Sequence, residues 1–145
     1  MKISGHILID KPIATVIRFF GDPAYLSAYQ DGFIKKEHLS GDEGKEGAIA
    51  MLYYKNGKHQ IDLEETITKN ELPKNFEAIY RHKHMDNTMK CSFKAVSNNQ
   101  TRYNYEYHYI RMTAMPRLMS WLNPGMFRKP AEKWLQQFKD FVEKQ

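Results

Sequence analysis

Glu65 is the residue best placed to do chemistry. In the stretch HQIDLEETIT (59–68), Ile61, Leu63, Glu65 and Ile67 recur at every second position. In a β-strand such residues share one face. A carboxylate on an otherwise apolar face must be paired, hydrated or protonated. It is therefore either an internal acid able to anchor a ligand or move a proton, or a residue turned outward by a bulge. A second constellation lies in TRYNYEYHYIRM (101–112), where Tyr103, Tyr105, Tyr107 and Tyr109 alternate with Asn104, Glu106 and His108. Four phenols on one face of a strand form an inner surface that is not purely aliphatic, because each buried hydroxyl needs a partner. They could bind a polar group on a ligand, or donate to a developing enolate. They could equally be packing against a helix. Phe76, Ala78 and Tyr80 alternate in the same way and extend this wall. Of the six histidines, only His82 and His84 share a face at short range. A zinc site needs three or four ligands, and no third is evident, so no metal or other cofactor is expected. No nucleophile elbow, serine triad order or phosphate loop occurs.

These residues need elements to hold them. KISGHILID alternates as a strand, and Pro12 ends it and opens a helix over 13–20. Asp22-Pro23 starts a second short helix as cap and first residue. From 31 to 112 the pattern is β throughout. Asn56-Gly57 marks a hairpin, 40–47 and 97–100 are turns, and Pro73 separates two strands. The chain ends in a helix in which Phe127, Ala131, Trp134, Leu135, Phe138, Phe141 and Val142 make one apolar stripe. Asn123 is expected to cap it, and Pro130 to kink it. MPRLMSWL forms a shorter helix before it. One helix cannot cover both faces of such a sheet. The expectation is an α+β fold: a curled antiparallel sheet of about seven strands gripping the C-terminal helix, with two short helices after the first strand. A pocket is expected between sheet and helix.

The bulk properties limit the function classes. The 145 residues suit one domain, 1–145. A single cysteine, Cys91, rules out an intrachain disulfide. The N-terminus lacks a signal-peptide run, and no stretch has the length of an integral membrane segment, so a cytoplasmic location is expected. The net charge of +5 is concentrated in residues 111–145, which hold 7 basic and 3 acidic residues against 15 and 14 before them. No nucleic-acid motif accompanies that charge, so nucleic acid is not expected as a partner.

The order of elements resembles the helix-grip superfamily of START lipid-transfer domains, plant pathogenesis-related allergens and polyketide cyclase/dehydrase-like proteins, and the chain looks like a small bacterial member. ILIDKPIATVIRFFGDPAYLSAY is similar to the first strand and V-shaped helix pair, including the Asp-Pro between them. EETITKNELPKNFEAIY is similar to the strand, proline turn, strand segment. NNQTRYNYEYHY looks like the final hairpin, and PGMFRKPAEKWLQQFKDFVE the C-terminal helix. The resemblance implies a cavity for a hydrophobic or aromatic small molecule and no particular reaction. The residues expected to line it are Glu65, Phe76, Tyr80, Tyr103, Tyr105, Tyr107, Phe127 and Trp134. Two alternatives stand beside a binder. One is a cyclase/dehydrase-type enzyme using Glu65 and a tyrosine as acid and base. The other is an interaction module using the basic C-terminal helix face, and a homodimer is compatible with either.

Overall fold

A computed structural model describes residues 1–145. Strand β1 (Lys2–Ile9) leads into α1 (Ile13–Gly21). A single 3-10 turn (Pro23–Tyr25) and α2 (Leu26–Tyr29) follow. Asp22 Oδ1 accepts from the Ala24 amide at 2.9 Å, so the Asp-Pro pair starts the second helical segment as its residue types require. Six more strands come next: β2 (Phe33–Ser40), β3 (Ile49–Asn56), β4 (His59–Glu71), β5 (Asn75–Arg81), β6 (Met85–Ser97) and β7 (Gln100–Met112). Helices α3 (Ala114–Leu122) and α4 (Gly125–Glu143) complete the chain.

The seven strands form one antiparallel sheet in the order β1-β7-β6-β5-β4-β3-β2. Every neighbour but one is a hairpin partner. The exception, β1 beside β7, requires α1 and α2 to carry the chain from one edge of the sheet to the other. Gly57, in the left-handed region at φ 63°, makes the two-residue turn between β3 and β4. The tyrosine face points inward: Tyr103 and Tyr105 are buried, whereas Arg102 is exposed and Asn104 and Glu106 lie on the outer side.

Helix α4 fills the concave side with Phe127, Leu135, Phe138 and Val142 buried. Burying side chains of this size contributes about 1.5–3 kcal/mol each. At one end α1 seals the space. The Phe20 ring lies 4.9 Å from Phe93, 5.5 Å from Phe76, 5.9 Å from Tyr103 and 6.2 Å from Phe138, mostly edge to face.

Several local expectations are corrected. Asn123 does not cap α4 through its side chain. It closes α3, donating its amide to Met119 O at 2.8 Å, and α4 begins after Pro124. Helix α4 spans Gly125–Glu143 with Pro130 inside it, as the sequence places it. Strand β5 stops at Arg81, so His82 and His84 sit in the β5–β6 turn rather than on a strand. Their rings are 5.5 Å apart.

Candidate functional site

Glu65 lies inside. The β3–β4 register is unbroken past it, placing it opposite Ala50, and on the other side it faces Tyr80 across β4–β5. The bulge that would have turned it outward is absent at this position; the break in β4–β5 pairing comes later, between Ile67 and Lys69. Glu65 is 6% exposed.

Pairing satisfies the buried carboxylate. Lys36 Nζ lies 2.9 Å from Oε1, and the Tyr80 hydroxyl donates to Oε2 at 2.7 Å. Lys36 escaped the sequence reading. It stands on β2, with β3 between it and Glu65, roughly 10 Å of sheet at ordinary strand spacing. Only a long side chain spans that gap, and the small Ala50 opposite Glu65 leaves room. The sequence shows two adjacent lysines, and simple alternation from Phe33 would turn Lys35 inward. A register shift between Phe33 and Lys35 inserts one residue and reverses the faces. Phe33 pairs with inward Tyr54, Lys35 with outward Tyr53, and Lys36 with inward Leu52. No signal short of the β2–β3 pairing reveals this.

Aromatic side chains surround the triad. Tyr54 stacks on Trp134 with centroids 5.3 Å apart and donates its hydroxyl to Gln30 Oε1 at 2.8 Å. Burial, and then the Glu65 charge, push the Tyr54 and Tyr80 phenols above their usual range. Tyr107 is raised chiefly by burial. All three therefore act as neutral donors at ordinary pH. Tyr80 and Tyr107 are only partly buried. Leu63, Asn87, Tyr109 and Trp134 on the same side are also only partly buried.

The expected wall thus divides. Glu65 and Tyr80 join Lys36 in the cluster, Trp134 stacks on Tyr54, and Tyr107 packs beside Tyr105 at 5.9 Å. Phe76 and Tyr103 belong to the sealed aromatic end, where Tyr103 stacks on Phe93 at 4.5 Å. Tyr105 leans over Gly5 of β1, its hydroxyl where any side chain at that position would stand. Phe127 packs edge to face on Tyr109 at 5.3 Å, toward α3. A separate cleft of about 380 Å³ lies outside the grip, between α2, the following loop and the end of α4. It includes Asp31 and Gln137 and none of the expected residues. No three His, Cys, Asp or Glu side chains converge as metal ligands.

The arrangement offers a carboxylate, an ammonium and a neutral phenol at one spot on an apolar inner face. Of the three Lys36 donors, the hydrogen bond to Glu65 uses one. The ammonium can therefore meet a further acceptor.

No protein-family model matches the sequence, and no curated protein matches it in sequence. Solved structures do match in shape. The Zhui aromatase/cyclase from Streptomyces sp. R1128 superposes with a TM-score of 0.79 at 9% identity, over 99% of this chain and 93% of that one. A conserved protein from Geobacillus kaustophilus gives 0.75 at 13% identity, over 99% and 96%. Ara h 8.0201 gives 0.73 at 10% identity, over 100% and 99%. At such identities the likeness speaks for the fold alone, and the wrapped sheet with its gripped C-terminal helix is a helix-grip fold.

Proposed function

We propose that the protein binds a hydrophobic or aromatic small molecule between the sheet and α4, with a hydrogen-bond acceptor on the ligand meeting Lys36. The observation that carries this reading is the Lys36–Glu65–Tyr80 cluster set in an aromatic inner face. An ion pair in such surroundings adds little to stability by itself. It gives a ligand one oriented polar contact within an apolar site, as small-molecule sites commonly do. Anilinonaphthalene sulfonate is a suitable probe, being aromatic with one anionic acceptor end. It should bind saturably at one site. Lys36→Met should weaken that binding about tenfold, the loss expected for a charge-assisted hydrogen bond. Saturable binding that Lys36→Met leaves unchanged, or no saturable binding, defeats the proposal.

A second reading rests on the 2.7 Å contact between Tyr80 and Glu65. A cyclase/dehydrase-type enzyme needs a base and a donor within reach of one substrate carbon and its carbonyl. Here Glu65 would take the proton and Lys36 or Tyr80 would donate to the enolate oxygen. Because both Glu65 oxygens already accept hydrogen bonds, substrate would have to displace one of them first.

A further inference from the structure

Helix α3 is built inside out. At 100° per residue, Trp121, Leu118, Leu122 and Met115 fall within an arc of about 120°, and this arc faces solvent. Trp121 is 79% exposed, Met115 67% and Leu122 63%. The partly covered side carries Pro116, Met119 and Ser120 instead. No residue of α3 is buried. Met126, on the first turn of α4, extends the apolar area. A helix whose apolar stripe turns away from its own protein is covered by something else.

The charge around this corner indicates what covers it. Residues 107–131 include no Asp or Glu, and they include Arg111, Arg117, Arg128 and Lys129. Arg111 is held by Asp86 through two contacts of 2.9 Å, and Arg128 touches Glu132 at 3.5 Å. Arg117 and Lys129 have no acidic partner within 4 Å. A second copy docking here would bring two cationic corners together, so self-association is disfavoured. An exposed tryptophan with leucines and methionine, flanked by cations and free of carboxylates, is the composition that settles into the headgroup region of a bilayer.

We propose that the α3–α4 corner docks on an anionic membrane surface. Trp121, Leu118 and Leu122 enter the boundary between headgroups and acyl chains, and Arg117 and Lys129 meet lipid phosphates. The surface is distinct from the Lys36–Glu65 cluster, so either proposal can fail without the other. The protein has two tryptophans, and Trp134→Phe leaves Trp121 as the sole reporter. Vesicles of equal parts phosphatidylglycerol and phosphatidylcholine should shift its emission to the blue and carry the full-length protein in flotation. Phosphatidylcholine alone should bind weakly. Trp121→Ala should reduce binding about tenfold or more, as expected when a large aromatic stays in water. Lys129→Gln should reduce it about fivefold. Both side chains are exposed, so neither change threatens folding. Should Trp134→Phe fail to fold, brominated lipids quenching the wild-type protein but not Trp121→Phe give the same answer. The proposal is overturned if neither vesicle binds at low salt. It is equally overturned if Trp121→Ala floats like the wild type, or if the corner proves to be a dimer interface that Trp121→Ala dissolves.

Discussion

Lys36 and Glu65, 29 positions apart and on strands that do not touch, meet at 2.9 Å on the inner face of the sheet. The side chains are 19% and 8% exposed. Neither charge has enough water to stand alone, so removing one should cost more than removing both. Glu65→Gln or Lys36→Met should lower stability at pH 7 by about 1–3 kcal/mol, since each leaves a desolvated partner. The double variant Lys36→Met/Glu65→Leu should recover most of that loss. Urea midpoints across the cycle measure this. A neutral or stabilising Glu65→Gln would show that the pair is not what satisfies the carboxylate.

The buried phenols make the protein sensitive to alkali. Tyr54, Tyr80, Tyr103 and Tyr107 all have folded-state values raised above 10.0, burial being the largest cause for each. The unfolded chain releases these protons near pH 10, while the folded chain holds them. Stability from this source is therefore complete below about pH 10 and falls as pH rises above it. Ultraviolet titration should show the phenolates of these residues forming only together with loss of far-ultraviolet circular dichroism. Reversible ionisation of all nine tyrosines with the fold intact would contradict their burial.

Cys91 should be silent in the native protein. It is 3% exposed, and burial pushes its thiol up to about 12. A thiol that stays protonated and inaccessible does not attack disulfide reagents. Ellman's reagent at pH 8 should give no signal until denaturant is added. Rapid native-state reaction would mean that the β5–β6 end of the core opens easily.

The C-terminal helices should differ in protection. Helix α3 buries none of its residues, whereas the second half of α4 buries Leu135, Phe138 and Val142. Opening costs follow buried contacts. Amides of 114–122 should therefore exchange faster than those of 134–142, by a factor of about one hundred or more if the α4 half opens only globally. Equal protection along both segments would remove α3 as the loosely held part of the grip.

Much of this was written in local patterns. Alternation of apolar residues placed the strands, and it put the four tyrosines and Glu65 on the face that proves to be inside. The three- and four-residue spacing from Phe127 to Val142 marked the stripe that α4 buries. Both follow from the side-chain period of a single element, which neighbouring residues alone determine. Three features needed the assembled sheet. Lys36 faces inward only because pairing with β3 absorbs one extra residue after Phe33, and a one-residue shift reverses every side chain beyond it. Tyr103 and Tyr80 look alike in sequence, yet one lies in the sealed end under Phe20 and the other donates to Glu65. The helix in MPRLMSWL was legible, but the direction its apolar residues face was not. Periodicity says that a helix has two faces, and only the packing of the whole chain decides which one meets the core.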